Sequence, residues 1–186
     1  MKRIVFCFLL LIVFSTYTKA QDLSVVDVFG GYSYQRVTPD FLAEGANGNG
    51  WHTNLTANLK QMGGFLGLVA DFSGHYGKSA GVKVSMRAAL FGVRVAARGE
   101  KLTWYVQSMY GFANLHGDGD IFGPEIGRSD SSFAFMPGGG GLDVKLSDNI
   151  AFRVFELDVI HTNFGRGGGQ LRPRLSTGIV FRLGKH

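Results

Sequence analysis

Apolar and polar residues alternate with a period of two along eight stretches of this chain, each about ten residues long. Alternation of this kind is typical of β-strands that present one apolar face and one polar face. Downstream of residue 20, no apolar run approaches the roughly 18 residues of a membrane-spanning helix. The pattern predicts an all-β domain with strands at about residues 25–37, 50–59, 64–73, 84–96, 102–115, 133–145, 150–161 and 175–183.

The gaps between the predicted strands alternate in length. The gaps after odd-numbered strands are long, at residues 38–49, 74–83, 116–132 and 162–174, and the others are short, at residues 60–63, 97–101 and 146–149. Outer-membrane barrels combine short periplasmic turns with longer extracellular loops. We therefore predict a closed antiparallel up-and-down eight-stranded transmembrane β-barrel in the cell outer membrane, with periplasmic termini and extracellular long loops. Closure gives every backbone group a partner, which lipid cannot supply.

The polar face of the predicted strands carries charged residues near the strand centres. A narrow barrel fills its interior with small residues and with charges that compensate one another. The predicted interior charge network consists of Asp71, Arg94, Asp143, Glu156, Asp158, Arg174 and Arg182. Within it we expect three acids to pair with three arginines, namely Asp71, Glu156 and Asp158 with Arg94, Arg174 or Arg182. On the apolar face, aromatic residues suit interfacial girdles, or alternatively core packing: Tyr32, Tyr34, Trp51, Trp104, Tyr110 and Phe181.

The first twenty residues have the pattern of a secretory signal peptide. Lys2 and Arg3 precede an apolar run of eleven residues, 4–14, and Thr18-Lys19-Ala20 then offers small residues at a cleavage site before Gln21. Eleven residues fall short of the roughly 20 that a helical membrane anchor needs. We therefore expect residues 1–20 to be a signal peptide and residues 21–186 to form one barrel domain.

Removal of that segment changes the charge and the cysteine count. The full chain has a net charge of +5, but the remainder carries 16 Lys+Arg against 14 Asp+Glu, a net charge of only +2. This balance does not favour a nucleic-acid partner. The single cysteine, Cys7, lies in the removed segment, so disulfides and Cys-ligated metals are excluded.

The C-terminal third resembles a known family of membrane proteins. The stretch GGGGLDVKLSDNI at residues 138–150, the TNFG at residues 162–165 and the spaced set Ser176, Gly178, Phe181 and Leu183 are similar to the small outer-membrane barrels that include the transmembrane domain of outer membrane protein A. The resemblance implies an eight-stranded barrel. It also implies that the spaced set is the C-terminal signal read by the barrel assembly machinery, with Leu183 at a position where an aromatic residue is usual.

Three motifs match known catalytic or ligand-binding sequences only in part. Some outer-membrane barrels are lipid A deacylases with a His and a Ser two residues apart, but here Asn163 follows His161 at that spacing, so the hydroxyl nucleophile is missing. The acidic stretch HGDGDIFGPE at residues 116–125 combines acids with glycines, as a Ca²⁺ loop does, but lacks the remaining ligands of such a loop. The glycines at 138–141 lack the Gly-Lys-Ser/Thr of a phosphate loop. We therefore expect no catalytic residue, no cofactor and no metal site.

These observations together predict a non-enzymatic outer-membrane protein with a structural or surface role and a largely packed interior. Its expected partners are the outer-membrane lipids, lipopolysaccharide and the assembly machinery, and we expect a monomer. The predicted last external loop carries Arg166, Arg172 and Arg174. These arginines suit either pairing with lipopolysaccharide phosphates or the ordinary solubility of a loop. The alternatives are a narrow porin-like channel, a lipid A-modifying hydrolase and a soluble lipocalin-like binder.

Overall fold

The computed structural model describes residues 24–37, 46–79, 82–118, 128–164 and 170–185, so the predicted signal peptide lies outside the described residues. The strands are β1 (Ser24–Val37), β2 (Ala46–Asn58), β3 (Leu66–Ser79), β4 (Val82–Arg98), β5 (Leu102–Asp118), β6 (Arg128–Lys145), β7 (Ile150–Thr162) and β8 (Gln170–Lys185). A 3-10 turn at Lys60–Met62 follows β2. No helix in these ranges is long and apolar enough to cross a membrane.

Each strand pairs antiparallel with the next one, and β8 pairs with β1, so the sheet closes into a barrel. The predicted eight-stranded up-and-down barrel is therefore confirmed. Closure removes the sheet edges, and the backbone of the wall is hydrogen-bonded from strand to strand. We call the end that holds Ser24 and Lys185 the terminal end, and the opposite end the loop end.

The two faces of the wall have the opposite polarity to that of a soluble barrel. Burial alternates along β5, where Trp104, Val106, Tyr110 and Phe112 point outward and stay exposed. Phe112 is 71% exposed, far more than a phenylalanine of a soluble domain. Polar side chains such as Gln107 point inward and are buried. An apolar outer face around a polar interior suits a wall that is surrounded by lipid.

The strands are longer than the alternation predicted, and the regular alternation of long and short gaps is wrong. β3 and β4 are joined by residues 80–81 alone, whereas residues 59–65 separate β2 from β3. The reason is that pairing continues past the apolar stretch, through Gly77↔Val84 and Lys78↔Lys83. Polar and glycine-rich positions look like a loop in the sequence, but they continue the ladder here.

The interior has two kinds of layers. Apolar side chains from β3 to β7 form one cluster, mostly in the half nearer the loop end: Val69, Val84, Met86, Ala88, Leu90, Met109, Ala113, Leu115, Ala134, Met136, Ile160 and Phe164. A smaller cluster of Phe29, Ala151 and Val180 lies on β1, β7 and β8. Buried charged residues occupy the space between these clusters, and they form the candidate site.

The charged interior of the barrel as candidate functional site

Arg174 on β8 bridges two acids from different parts of the wall. Its Nη1 and Nη2 donate to the two carboxylate oxygens of Asp71 on β3, each over 2.9 Å. Its Nε and Nη2 donate to Asp158 Oδ2 on β7, over 3.0 and 2.7 Å. All three side chains are completely buried. The planar fork of arginine suits this double engagement, since it presents several donors in fixed directions.

A second arginine, Arg153 on β7, holds two further acids. Its Nε donates to Asp143 Oδ1 over 2.7 Å, and its Nη1 donates to Glu156 Oε2 over 2.5 Å. The guanidinium lies 4.2 Å from the ring centre of Phe29 and 4.7 Å from that of Tyr105. Arg153 was not among the predicted interior charges, although it is fully buried at the centre of the network.

A β-bulge explains why Arg153 was missed. Residues 153 and 156 are an odd number of positions apart, so unbroken alternation would place them on opposite faces. The register of β7 shifts between Arg153 and Glu156 against β8, and between Leu142 and Asp143 on β6. A bulge adds a residue to one strand and reverses the alternation beyond it. The bulge is visible in the sequence, because the apolar residues of β7 change from even to odd positions at Val154-Phe155.

Gln107 on β5 joins the acids to Arg94. Its Nε2 donates to Glu156 Oε1 over 2.5 Å and to Asp158 Oδ1 over 3.1 Å. Its Oε1 accepts from Arg94 Nε and Nη2, over 3.0 and 2.6 Å. The Arg94 guanidinium also packs over the Tyr105 ring at 4.1 Å. Arg94, which we expected to pair with an acid, therefore contacts the acids through an amide.

Arg182, the remaining predicted partner, lies apart from this network near the terminal end. Its Nη2 donates to Thr103 Oγ1 over 3.2 Å. Nearby, Arg98 Nη2 donates to Asn58 Oδ1 over 2.7 Å and lies 3.6 Å from Asp27 Oδ2. The structure thus brings most of the predicted charges together, through Arg174 and through the unpredicted Arg153, but leaves Arg182 outside.

A chain of polar side chains extends the network along β1, β2, β3 and β8. His52 Nε2 lies 2.5 Å from Asp71 Oδ2, and its Nδ1 lies 3.0 Å from Ser176 Oγ. Ser176 Oγ is 2.9 Å from Ser33 Oγ, which is also 2.9 Å from His75 Nε2. All of these groups are buried. Ser176, His52 and Asp71 are linked in the order of a serine hydrolase catalytic triad. The Ser176 hydroxyl is buried, however, so a substrate carbonyl has no room to approach it.

One group of side chains in the described ranges has donor atoms close enough together for a metal. Ligand atoms of His52, Asp71 and Glu156 lie within 4.8 Å of one another. Both Asp71 oxygens already accept from Arg174, and the Glu156 oxygens accept from Arg153 and Gln107. A cation there would lie beside two guanidinium groups and be repelled by them. The donor set therefore fits a charge network better than a metal.

The assignment of Arg172 and Arg174 to an external loop is wrong. Both lie on β8, point inward and are buried, and Arg172 Nε donates to Thr162 Oγ1 over 2.9 Å. Pro173 between them normally argues against a central strand, because it lacks a hydrogen-bond donor. Here Pro173 is opposite Val159 inside the ladder. Neither arginine is available to lipopolysaccharide, and Arg166 lies outside the described residues.

The other sequence candidates lie away from the interior network. His116 and Asp118 belong to the exposed end of β5 rather than to a loop, and the rest of the acidic stretch, including Asp120 and Glu125, lies outside the described ranges. Asn163 is exposed beyond the end of β7, where its backbone N–H donates to Ser132 Oγ over 2.9 Å.

The residues of the C-terminal motif lie along the β1–β8 seam. Ser176 points inward, whereas Phe181 and Leu183 point outward and are about half exposed, at 48% and 51%. Gly178 lies directly opposite Gly31 of β1. A Cβ atom at either glycine would press on the backbone of the other strand, so the seam closes tightly only because both side chains are absent.

Known proteins share this architecture. The crystal structure of Neisserial surface protein A gives a TM-score of 0.65 at 10% identity and covers 86% of this chain and 98% of that one. The attachment invasion locus protein Ail of Yersinia pestis gives 0.57 at 15% identity, with the same coverages. OprG from Pseudomonas aeruginosa gives 0.50 at 11% identity, covering 87% and 96%. No curated protein matches the sequence.

The sequence also matches a protein family directly. The model of the outer membrane protein beta-barrel domain covers residues 6–177, nearly the whole chain. This match agrees with the closed barrel and with its apolar outer face. It contradicts the alternative of a soluble lipocalin-like binder. The chain therefore belongs to the outer membrane protein β-barrel domain family and is a small barrel of the outer membrane.

Proposed function

We propose that this protein is a non-enzymatic outer-membrane barrel with a structural or surface role, and that its interior is sealed. The observation that carries the proposal is the complete burial of the charges at the centre of the barrel. Arg153, Arg174, Asp71 and Glu156 each expose 0% of their surface. A water-filled pore exposes its lining charges to solvent, whereas these charges are neutralised by one another. The loop end faces the outside of the cell, and the termini lie in the periplasm.

The apolar layer next to the charges also supports a sealed interior. Leu90, Met109, Met136 and Ile160 lie beside the charged groups, with Leu90 directly opposite Asp71, and are at most 1% exposed. A hydrophobic constriction excludes water and so raises the barrier to ions. These apolar side chains beside the charges therefore oppose the passage of an ion through the centre of the barrel.

The buried positions of the candidate nucleophiles support a non-enzymatic role. Among the described residues, a histidine and a hydroxyl come together as His52 with Ser176 and as His75 with Ser33, and all four are buried. A nucleophile has to reach the substrate carbonyl, so these pairs serve hydrogen bonding. His161 is followed by Asn163 at the spacing where a deacylase has its serine.

A narrow channel is the second candidate, and one observation favours it. The side chains of Gln35, Asn54 and Thr56 are buried on β1 and β2, yet their polar atoms have no hydrogen-bond partner in the part of the chain that the structure describes. Buried polar groups in proteins are almost always hydrogen-bonded, if necessary to water. Water beside these residues would form a polar path along one side of the interior.

Conductance across a planar bilayer distinguishes the two candidates. The wild-type protein, shown by gel mobility to be folded, is expected to give no discrete conductance steps in concentrated KCl. Steps that disappear in Asn54→Leu and Thr56→Val would establish a channel along β1 and β2, and would overturn the sealed interior. Val84→Leu is a matched control, since this side chain is buried in the apolar layer instead.

We further propose that the chain is a monomer that contacts lipopolysaccharide and is inserted by the barrel assembly machinery through Ser176, Gly178, Phe181 and Leu183. The half-exposed Phe181 and Leu183 on the closing strand support this. Phe181→Ala with Leu183→Ala is expected to lower the amount of barrel in cell membranes while leaving refolding from urea into detergent intact. Leu175→Ala, on the same face of β8 and 46% exposed, is the matched control. Equal loss in both variants would contradict a specific signal.

A further inference from the structure

A groove of about 540 Å³ opens on the outer face of the wall near the loop end. It lies across β2 to β5 and is lined mainly by outward-facing polar side chains. The residues that matter here are Asn49, Tyr76, Lys78, Lys83, His116 and Asp118. The groove is separate from the charged interior, whose side chains point the other way.

The rows of paired residues give the height of this groove on the wall. An apolar row, Phe72↔Ala89↔Phe112, is followed toward the loop end by Gly74↔Arg87↔Asn114. The next rows are Tyr76↔Ser85↔His116 and Lys78↔Lys83↔Asp118. Aromatic residues and then cationic residues in this order mark the boundary between lipid chains and headgroups. The groove therefore lies at the level of the headgroups of the leaflet at the loop end.

The charge in the groove is unbalanced. Lys78 and Lys83 are directly opposite each other on neighbouring strands, and like charges in this position are destabilising. Within the described ranges, no carboxylate lies within salt-bridge distance of either lysine. Arg87 adds a third positive charge below them, and Asp118 is the one acid that lines the groove. A bound anion would relieve the repulsion between the two lysines.

The uncharged side chains of the groove suit a sugar. Asn49 and Asn47 accept hydrogen bonds at Oδ1 from the hydroxyls of Tyr32 and Tyr34, which leaves the Nδ2 group of each to donate. Tyr76 is 46% exposed and presents an aromatic ring at the centre of the groove. Amide donors, a hydroxyl at Ser85 and an aromatic ring, next to cations, form a set that recognises phosphorylated saccharides.

We propose that this groove binds the phosphorylated sugar headgroup of a glycolipid in the outer leaflet. The inference rests on the proposed contact with lipopolysaccharide and names its site. Lys78 and Lys83 hold the phosphate, and the Tyr76 ring and the asparagine amides contact the sugar. The height of the groove selects a lipid headgroup over a soluble anion, because the adjacent molecule at this level is a membrane lipid.

The test uses bisphosphorylated lipid A in mixed detergent micelles as the probe. Trp51 packs against Gly74, just below the groove, and therefore reports binding in a Trp104→Phe background. A saturable change in emission is expected with this lipid, and a much weaker one with enzymatically dephosphorylated lipid A. In the same background, Lys78→Gln with Lys83→Gln should weaken binding about twenty- to thirty-fold, since each basic residue at an anionic surface contributes about five-fold.

Two further variants make the comparison sharp. Lys60→Gln with Lys101→Gln changes the net charge equally but lies at the terminal end, well beyond a Debye length of about 10 Å, and should leave affinity unchanged. Asp118→Asn removes the acid of the groove and should tighten binding. The four lysines altered in the two double variants are all exposed. Gel mobility measures the folding of each variant.

The outcomes separate this inference from the proposed contact on which it rests. If the parent protein does not bind bisphosphorylated lipid A, both fail. If the parent binds and Lys78→Gln with Lys83→Gln binds equally well, the contact stands and this groove is not its site. If soluble glucosamine phosphate binds as tightly as the lipid and with the same lysine dependence, the groove serves a soluble anion and the lipid assignment is overturned.

Discussion

Arg153 and Glu156 form a 2.5 Å ion pair within one β-strand, although they are an odd number of residues apart. The bulge between them turns both side chains inward, and Glu156 is then also held by Gln107 Nε2. In the apolar surroundings of a membrane barrel, such a pair is stable only when every oxygen and every N–H has a partner. The bulge is therefore what allows the interior charges to balance.

Replacing Glu156 by Leu should destabilise the barrel strongly. The substitution leaves the Arg153 guanidinium with one fewer acid and frees Gln107 Nε2, and breaking a buried pair from one side costs about 3–5 kcal/mol. The measurement is the thermal midpoint in detergent, followed by the change in gel mobility between folded and unfolded forms. Asp148→Leu is the control, because its pair with Lys145 is exposed and contributes about 0–1 kcal/mol at most. An unchanged midpoint for Glu156→Leu would refute the network.

Deleting Val154 should still give a folded barrel, whereas deleting a residue from a regularly paired strand should not. Without Val154, Arg153 and Glu156 are two positions apart, so regular alternation keeps both side chains on the inner face. Deleting Val28 from β1, which pairs with both neighbours without a register shift, would instead place Asp27 and Phe29 on opposite faces. Resistance to SDS before boiling measures both variants. Loss of the folded form in the Val154 deletion would show that the extra residue does more than adjust the alternation.

Gly31→Ala should weaken the seam between β1 and β8. A Cβ at this position meets the backbone of Thr177 and Gly178, and forcing a methyl group into such a contact typically costs about 1–3 kcal/mol. The adjacent Gly30→Ala is the matched control, since a Cβ there has nothing within 4 Å. Refolding yield and urea midpoint in detergent measure both variants. Equal stability of the two would contradict the close approach of the strands.

The two tryptophans should report opposite interfaces of the membrane. Trp51 is toward the loop end of β2, and Trp104 is near the terminal end of β5, and both are about half exposed. In vesicles of brominated lipids, single-tryptophan variants at these positions are expected to be quenched more by bromine near the headgroups than by bromine near the chain ends. Phe91→Trp in a tryptophan-free protein should show the reverse order, because residue 91 lies at mid-height of β4. Uniform quenching would place the aromatic residues elsewhere.

The sequence was sufficient to predict the strands, because outward positions near the strand centres are apolar while many of the inward positions are polar or charged. Asp71 and Arg174 are identifiable from parity alone, since β3 and β8 alternate without a break between these residues and their apolar neighbours. The strand ends were not predictable from apolar alternation, because hydrogen-bond pairing at Lys78↔Lys83 continues where both faces are polar.

The alternation of apolar and polar residues predicted the wrong face at the bulge of β7, where the strand register shifts. It also could not predict which neutral side chains take part in the charge network. Arg153 lies before the bulge of β7 and was assigned to the wrong face for that reason. Gln107 was recognised as polar, but nothing in a single sequence indicates that its amide joins Arg94 to two acids. Such contacts depend on the curvature of the closed wall, which brings β5 and β7 side chains together.

The bridge from Arg174 to Asp71 has a consequence for the order of assembly. These residues are 103 positions apart, and they meet only after the last strand has joined a sheet whose third strand is already in place. Contacts of such high sequence separation form late, because the entropy of ordering the intervening chain is lost before they can contribute. Until then, Arg174 has only Asp158 of the neighbouring strand β7, and Asp71 has only His52 of the neighbouring strand β2. Partly formed sheets are therefore disfavoured, and insertion of this barrel should be cooperative, with closure as its final and committing step.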